Sequence, residues 1–274
     1  MSHKSGFVNI IGNPNVGKST IMNALVGEKL SIITQKMQTT RHRIKGIVSG
    51  EEFQIVYSDT PGILQPHYKL QETMMKFVDS ALIDADVILF VTDVIEKPGK
   101  NPEYIEKVRK SNVPVIVLIN KIDLSNQQDV LNLFDYWTGI FPGATVFPIS
   151  AQEKFNIAPI FDRILELLPE APPYFDKNDL TDRNERFFFQ EIVREKILLN
   201  YQKEIPYSVE VVVEEFKETD KIIHINCVIY VERDSQKGII IGHKGEMIKR
   251  VGTDARKDAE EFFGKKIFLE LFVK

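Results

Sequence analysis

The chain has 274 residues, a length that predicts two modest domains or one domain with a long appendage. Hydrophobic residues make up 43% of it and charged residues 27%, which is typical of a folded globular protein and excludes disorder along the whole chain. The formal net charge is −4, from 35 basic and 39 acidic residues. This excludes a globally basic nucleic-acid binder, but it does not exclude a local basic patch.

The cysteine content and the apolar runs indicate a cytoplasmic protein. The single cysteine, Cys227, cannot build an intrachain disulfide framework or a cysteine-based zinc cluster. The longest apolar runs have the length of strands, whereas a membrane span needs about 20 apolar residues. The N-terminal sequence is polar at residues 2–5, and residues 1–5 lack the apolar stretch of a signal peptide.

Short apolar runs alternate with segments of helical spacing through the first 168 residues. This alternation predicts an α/β domain in which a mostly parallel sheet carries helices on both faces. We expect the third and fourth runs to be central strands, because central parallel strands are buried on both sides. The five runs are Phe7–Ile11, Phe53–Tyr57, Val87–Val91, Val113–Ile119 and Thr145–Ile149.

The composition changes after residue 168. Residues 169–184 are first proline-rich and then polar, and they predict an interdomain linker between a domain over 1–168 and a second over 185–274. The last segment shows the order helix, strand, strand, helix, helix, strand, which predicts a smaller α+β domain. Its predicted elements are Phe187–Tyr201, Tyr207–Phe216, Ile222–Val231, Lys237–Ile241, Glu246–Phe263 and Ile267–Val273.

Residues 12–19 match the pattern G-x-x-x-x-G-K-[ST] between an apolar strand and a helix predicted over Thr20–Val26. Glycines let backbone amides wrap around phosphate oxygens, and the N-terminus of the helix adds to the same anion site. We expect Lys18 to place a cation on the outer phosphates and Ser19 to bind magnesium; a glycine turn before a helix is the alternative. The predicted nucleotide-binding residues here are Gly12, Asn13, Pro14, Asn15, Val16, Gly17, Lys18, Ser19 and Thr20.

A second motif, Asp59-Thr60-Pro61-Gly62, ends the second apolar run. An acid at this point can hold magnesium through water, and the Gly62 amide can contact the outermost phosphate. Ligands bind at the carboxyl ends of strands in open α/β sheets, so we expect Asp59, Thr60, Pro61 and Gly62 to lie at the nucleotide.

Two further motifs, also at strand ends, predict guanine selectivity. In Asn120-Lys121-Ile122-Asp123, the Asp123 carboxylate can accept hydrogen bonds from N1–H and the 2-amino group of guanine. Adenine lacks both donors and would leave the carboxylate unpaired, so an ATPase is disfavoured. Ser150-Ala151 can present a backbone amide to guanine O6, with a solvated polar turn as the alternative.

The segment Gln38-Thr39-Thr40-Arg41 lies between the first two motifs. A threonine here could complete the magnesium shell when the third phosphate is present, and we favour Thr40 over Thr39; a plain exposed threonine is the alternative. Such a loop would be ordered by the γ-phosphate and released on hydrolysis. The expected magnesium ligands are Ser19, Thr40 and Asp59, and the expected catalytic residues are Lys18, Thr40 and Gly62.

The ordered motifs GNPNVGKS, QTTR, DTPG, NKID and SA resemble those of translation-factor-class P-loop GTPases. QTTRHRI in particular resembles the Era family of bacterial ribosome-assembly GTPases. The resemblance places the phosphate loop of the family on Gly12–Ser19, its switch threonine on Thr40, its magnesium aspartate on Asp59 and its guanine motif on Asn120–Asp123.

The residue after the second motif departs from the Ras-like pattern. Ras-like enzymes carry a water-orienting glutamine there, whereas this chain has Ile63, which cannot orient water. We therefore expect slow intrinsic hydrolysis. The resemblance implies a group of GTPases in which the asparagine equivalent to Asn15 holds a potassium ion that supplies charge at the phosphates. The alternative is that Asn15 only braces the loop.

The C-terminal segment contains a G-x-x-G loop at Gly242–Gly245. Alone it would indicate a helix–turn–helix corner, but the flanking IIIGHKGEMIK and the order of elements favour a type II KH domain, which clamps about four single-stranded nucleotides. Residues 237–250 hold four cations and one carboxylate, a local charge of +3. The predicted RNA-binding residues are Lys237, Ile241, Gly242, His243, Lys244, Gly245, Lys249 and Arg250.

TDRNERF, IPYSV, YVER and IGHKG also resemble the Era family. The resemblance implies binding near the 3′ end of 16S rRNA in the small subunit, a role in 30S subunit assembly, and peripheral association with the inner face of the membrane; we expect a monomer. The chain stops at Lys274, where family members carry a further short tail, so it is either truncated or without those contacts. The rival hypothesis is a regulatory GTPase whose C-terminal domain binds a protein or a membrane surface.

Overall fold

The computed structural model describes residues 3–36 and 38–274. The chain divides into two compact units, Met1–Asp182 and Arg183–Lys274. Each is described by itself below.

The first unit is built on a six-stranded sheet in the order β2-β3-β1-β4-β5-β6. All neighbouring strands are parallel except β2 and β3, which confirms the predicted α/β fold with a mostly parallel sheet. Its elements are β1 (Lys4–Gly12), α1 (Lys18–Val26), β2 (Ile44–Ser49), β3 (Phe53–Asp59), α2 (Lys69–Ile83), β4 (Val87–Asp93), α3 (Pro102–Lys110), β5 (Val115–Asn120), α4 (Gln127–Ile140), β6 (Thr145–Pro148) and α5 (Ala158–Leu167).

The central strands are the most apolar ones. All seven residues of β4 are buried, as are all but the first residue of β5. Both lie inside the sheet, as predicted, because strands covered by helices on both faces need apolar side chains on both faces. Their carboxyl ends, with those of β1 and β3, deliver the motif residues to one edge of the sheet.

The edge strand β2 has no counterpart among the predicted elements. It pairs with β3 in antiparallel fashion, so it extends a hairpin and needs no crossover helix. Its residue Gly46 packs so closely on α1 that an added Cβ would lie 2.7 Å from Cγ2 of Val26. A glycine and a lysine in a six-residue segment break the apolar pattern that identifies a strand.

The sequence predicts an interdomain linker over residues 169–184, but in the structure the residues up to Asp182 belong to the first compact unit. The buried side chain of Gln54 accepts hydrogen bonds from the backbone N–H groups of Tyr174 (2.7 Å) and Phe175 (2.9 Å). The same side chain donates to the carbonyl of Phe175 at 2.9 Å. Proline-rich composition shows only that a helix ends; it does not reveal backbone groups that a distant side chain satisfies.

Farther along the segment, residues 180–181 form hydrogen bonds with the edge strand β2. The backbone N–H of Ile47 donates to the carbonyl of Leu180 at 2.8 Å. The Thr181 hydroxyl donates to the carbonyl of Lys45 at 2.7 Å. Residues 180–182 therefore cover part of the edge strand that follows the QTTR segment.

The second unit has the predicted order of elements. Its three-stranded sheet runs β7-β8-β9, with β7 antiparallel and β9 parallel to the middle strand. Val251, Ala255 and Ala259 recur every four residues on one helix and are fully buried, so that face packs into the core. The elements are α6 (Glu185–Asn200), β7 (Val209–Glu218), β8 (Ile222–Val231), α7 (Asp234–Ile241), α8 (Glu246–Phe263) and β9 (Lys266–Val273).

Within the described ranges, every helix is too short or too polar to cross a membrane.

Candidate functional site

The loop between β1 and α1 has a backbone that only glycine permits at two points. Gly17 has a left-handed φ of 97°, and a Cβ there would lie 2.2 Å from Nδ2 of Asn120. A Cβ on Gly12 would lie 2.2 Å from the carbonyl oxygen of Val91. The loop can therefore wrap closely only because these two positions carry no side chain.

Lys18 holds a cation inside this loop. Its Nζ donates to the backbone carbonyls of Gly12 (3.1 Å) and Asn13 (2.8 Å), and the side chain is buried. Burial lowers the pKa of Lys18 from 10.5 to about 8, although the nearby carboxylates of Asp59 and Glu96 oppose the shift. A buried ammonium that is poorly compensated favours the arrival of an anion.

The three predicted magnesium ligands converge. Oγ of Ser19 donates to Oδ2 of Asp59 at 2.6 Å and lies 3.0 Å from Oγ1 of Thr40. Thr40 also donates to Oδ2 of Asp59, at 3.3 Å. Oδ1 of Asp59 is buried without a hydrogen-bond partner among the described residues. Burial raises the pKa of Asp59, against the hydrogen bond from Ser19 and the charge of Lys18. This cluster of oxygens, one of them unsatisfied, fits a hard cation such as Mg²⁺.

Thr39 points elsewhere. Its hydroxyl donates to the carbonyl of Lys36 at 2.7 Å and lies 2.6 Å from Oγ1 of Thr34. The structure thus brings Thr40 to the cluster and leaves Thr39 inside its own loop.

The segment after β3 lies against the phosphate loop. Thr60 Oγ1 donates to the carbonyl of Ile10 at 2.7 Å, and the backbone N–H of Ile63 donates to the carbonyl of Gly12 at 3.1 Å. A Cβ on Gly62 would lie 2.6 Å from Cα of Pro14, so the two backbones approach closely. The side chain of Ile63 is 3% exposed and packs in the hydrophobic core, so it presents neither a polar group nor a free surface at this edge of the sheet.

The guanine motif braces the phosphate loop. Asn120 Nδ2 donates to the carbonyl of Val16 at 2.8 Å, and its Oδ1 accepts from the backbone N–H of Ala151 at 3.0 Å. Lys121 Nζ donates to the carbonyl of Asn15 and to Oδ2 of Asp93, both at 2.5 Å. Three of the predicted motifs are therefore connected by direct hydrogen bonds.

Asp123 is exposed on a single 3₁₀ turn, Ile122–Leu124, where its carboxylate can meet a ligand. Ser150 is buried, and its Oγ accepts from the backbone N–H of Glu153 at 3.2 Å. A cleft of about 790 Å³ lies between α1 and the segment from Ala151 into α5; Thr20 and Ala151 are in its wall, but the side chains of Lys18 and Asp123 are not. It has the size of a small-molecule site.

Two residues at this edge belong to no motif and were not predicted. Glu96 accepts a hydrogen bond from Nδ2 of Asn13 at 2.7 Å, and Asn101 donates to Oδ1 of Asn13 at 2.7 Å. Both lie in the loop that follows β4. Only the general rule that ligands gather at the carboxyl ends of parallel strands could have pointed to that loop.

In the second unit, the G-x-x-G loop joins α7 to α8. Gly242 and Gly245 have left-handed φ values of 73° and 77°, and Lys244 between them has a φ of 49°. A Cβ on Gly242 would lie 2.6 Å from Cγ of Met247, whereas Gly245 faces open space. The side chains of His243 and Lys244 are exposed. The loop thus presents two cationic or polar side chains and bare backbone next to the N-terminus of α8.

A hydrogen bond from Tyr201 holds the end of α7 that leads into this loop. The buried Tyr201 hydroxyl donates to the carbonyl of Ile240 at 2.6 Å, which satisfies a backbone group at the end of α7. Burial raises the pKa of Tyr201 to about 12, so it remains a donor. The remaining predicted RNA-binding residues flank the loop; Lys237 and Ile241 are half-buried, and Lys249 and Arg250 are exposed.

Comparison with known families agrees with this geometry. Residues 7–121 match the family described as a 50S ribosome-binding GTPase, and residues 204–274 match the KH domain family. Fold and site together define a P-loop GTPase unit followed by a KH domain.

Relatives extend the match to nearly the whole chain. GTPase Era of Geotalea daltonii is 47% identical over 98% of this chain and 92% of that protein, and GTPase Era of Alkaliphilus metalliredigens is 46% identical over 100% and 94%. A crystal structure of Era in complex with MgGDPNP and nucleotides 1506–1542 of 16S ribosomal RNA superposes with a TM-score of 0.93 at 40% identity, covering 99% of this chain and 93% of that one. The chain belongs to the Era family of GTPases.

Proposed function

We propose that this GTPase is a slow, GTP-dependent switch that binds single-stranded 16S rRNA near its 3′ end and assists assembly of the 30S subunit. The observation that carries the proposal is the glycine loop Gly242–Gly245, whose left-handed backbone and exposed polar residues suit a phosphodiester chain. It is supported by the relative that was solved with MgGDPNP and a 16S rRNA fragment.

The first unit would bind GTP through its ordered motifs. Backbone N–H groups within residues 12–20, where Pro14 has none, would surround the phosphates, and Lys18 would exchange its two carbonyl partners for phosphate oxygens. Mg²⁺ would take the place between Ser19, Thr40 and Asp59, where Oδ1 of the aspartate lacks a partner among the described residues. Asp123 would select guanine.

Hydrolysis would rely on charge and backbone groups. Lys18 and the Gly62 amide would stabilise the developing charge on the terminal phosphate, while the buried Ile63 offers no group to orient water. This supports slow intrinsic turnover.

A potassium ion at Asn15 would add charge at the same phosphates. The side chain of Asn15 is exposed, and its Nδ2 donates to the carbonyl of Gln35 at 3.1 Å. That bond fixes the orientation of the Asn15 side-chain amide. Its oxygen, which can coordinate a cation, therefore faces away from the Gln35 carbonyl. If GTP turnover is the same in sodium and potassium buffers, this part of the proposal is wrong.

The second unit would clamp RNA at the G-x-x-G loop. Gly242 and Gly245 let phosphates approach the backbone, and His243 and Lys244 would contact them. The half-buried Ile241 and the cations of α8 would extend the groove on either side. We further propose a monomer that acts on the 30S subunit in the cytoplasm; peripheral membrane association rests on family resemblance alone.

Two matched variants test the RNA site. Gly242→Asp introduces a Cβ 2.6 Å from Met247 and a negative charge at the clamp, so we expect loss of RNA binding with GTP binding intact. Gly264→Asp places the same change at another left-handed glycine, φ 65°, which ends α8 and faces open space. Since α8 has 18 residues, that control lies about 27 Å along the helix.

Filter binding to a single-stranded 16S 3′-end fragment provides the measurement. The proposal predicts wild-type RNA affinity for Gly264→Asp and at least about a tenfold loss for Gly242→Asp. Equal RNA affinity of the two variants, or an equal loss of RNA and GTP binding in Gly242→Asp, would refute the assignment.

A further inference from the structure

The loop between β4 and α3 reaches both the phosphate loop and the segment after β3. It does so through the side chains of Glu96 and Asn101, which lie outside every nucleotide motif. Their contacts form a continuous chain of hydrogen bonds.

The chain of hydrogen bonds begins at a fixed turn. Oδ1 of Asp93 accepts from the backbone N–H groups of Ile95 (2.9 Å) and Glu96 (2.8 Å), which holds the turn that presents Glu96. The two carboxylate oxygens of Glu96 then accept from Thr92 Oγ1 at 2.8 Å and from Asn13 Nδ2 at 2.7 Å. Because an ionised carboxylate only accepts hydrogen bonds, it fixes which end of the Asn13 amide faces it.

That orientation passes to Asn101. With Nδ2 of Asn13 facing Glu96, Oδ1 of Asn13 accepts from Nδ2 of Asn101 at 2.7 Å. The same amino group approaches the backbone carbonyl of Ile63 at 3.3 Å. Asn101 has a left-handed φ of 55°, and within the described chain its side chain makes no capping bond to α3. The side-chain amide of Asn101 therefore binds the phosphate loop and Ile63 rather than the N-terminus of α3.

Ile63 is held from two sides. Its backbone N–H donates to Gly12 in the phosphate loop at 3.1 Å, and its carbonyl accepts from Asn101. Gly62 is the preceding residue, and its backbone is in close contact with Pro14. The hydrogen bonds to the backbone N–H and C=O of Ile63 hold this residue, and the position of the N–H of its neighbour Gly62 therefore depends on them.

We propose that Asn101 is a positioning residue for GTP hydrolysis. Its amide, oriented through Asn13 by Glu96, places the Gly62 amide at the terminal phosphate and so acts on the hydrolysis rate rather than on nucleotide affinity. The inference rests on the phosphate site proposed above.

Asn101→Asp is the discriminating variant. Aspartate tolerates the left-handed backbone and the position before a helix, so a purely structural role would survive. It removes both N–H donors and places a carboxylate against Oδ1 of Asn13 and the carbonyl of Ile63. We expect the single-turnover rate of GTP hydrolysis to fall about tenfold, while the Kd for GDP changes by less than about twofold. The same change at the exposed Asn112 should alter neither quantity.

A wild-type hydrolysis rate in Asn101→Asp would overturn the proposal. So would a loss of GDP affinity that parallels the loss of rate, because a general distortion of the phosphate loop would act on both. The Lys18→Ala variant distinguishes a failure of the positioning role from a failure of the proposed phosphate site. Normal GDP binding by Lys18→Ala would refute the phosphate site itself. Loss of binding there together with normal hydrolysis in Asn101→Asp refutes only the positioning role.

A pair of substitutions at Glu96 tests the same chain if Asn101→Asp folds poorly. Glu96→Ala should lower the single-turnover rate by about threefold or more. Glu96→Gln can still accept from Asn13 and donate to Thr92, so it should recover most of that loss. A wild-type rate in Glu96→Ala, or no recovery in Glu96→Gln, would contradict the hydrogen-bond chain.

Discussion

Replacing Lys18 by methionine should make the nucleotide-free protein more stable while it destroys nucleotide binding. The pKa of Lys18 falls from 10.5 to about 8 on burial, and one pKa unit corresponds to 1.36 kcal/mol, so the buried charge costs about 3 kcal/mol. Methionine leaves the carbonyl of Asn13 without its donor, whereas the carbonyl of Gly12 keeps the backbone N–H of Ile63 as a partner, so the lost bonds cost about 1 kcal/mol in return. The net gain at pH 7 is roughly 2 kcal/mol.

The pH dependence identifies the cause. Below about pH 8 both the folded and the unfolded state keep the lysine proton, and the full cost is present. Between that pH and 10.5 the folded state releases its proton first, so wild-type stability rises relative to Lys18→Met. By pH 10 the advantage of the variant should have nearly vanished.

Urea unfolding of nucleotide-free protein at pH 7 and pH 10 measures both effects, with the exposed Lys97→Met as control. A fluorescent GDP analogue should show at least about a hundredfold loss of affinity, since charge-assisted hydrogen bonds to phosphate are lost. A destabilised Lys18→Met, or a gain that does not change with pH, would refute the reasoning.

Three further substitutions follow from local geometry. Gly17→Ala should lose nucleotide binding and roughly 1 to 3 kcal/mol of stability, because its Cβ would lie 2.2 Å from Asn120 on a left-handed backbone; normal GDP binding would contradict this. Gln54→Leu should lower the free energy of unfolding by about 2 to 4 kcal/mol and expose the amides of residues 174–175 to hydrogen exchange, since they lose a buried partner. Unchanged exchange there would be inconsistent with the contacts described. Asp123→Ala should reduce selectivity for GTP over ATP at least about tenfold in competition binding, and unchanged selectivity would exclude Asp123 as the base contact.

The fold and the convergence of motifs were accessible from the sequence for a physical reason. Parallel strands place their carboxyl ends at one edge, so motifs that follow β1, β3, β5 and β6 must meet there. The pattern also assigned the second unit, because amphipathic spacing on α8 and alternation on its strands are strong signals.

Long-range pairings could not be predicted in this way. The roles of Glu96 and Asn101 depend on which side chains a loop of ordinary composition brings to Asn13. The attachment of residues 174–175 depends on Gln54, a residue more than a hundred positions away in the sequence. Such contacts carry no local periodicity, and only the three-dimensional structure reveals them.

RNA affinity as a function of the bound nucleotide is the most direct test of the proposed switch. The 274-residue chain, loaded with Mg²⁺ and either a non-hydrolysable GTP analogue or GDP, would be titrated against a single-stranded 16S 3′-end fragment at one fixed salt concentration. We expect tighter binding with the GTP analogue by about fivefold or more, the range of ordinary allosteric coupling. Equal affinity in the two nucleotide states would contradict a GTP-dependent RNA switch.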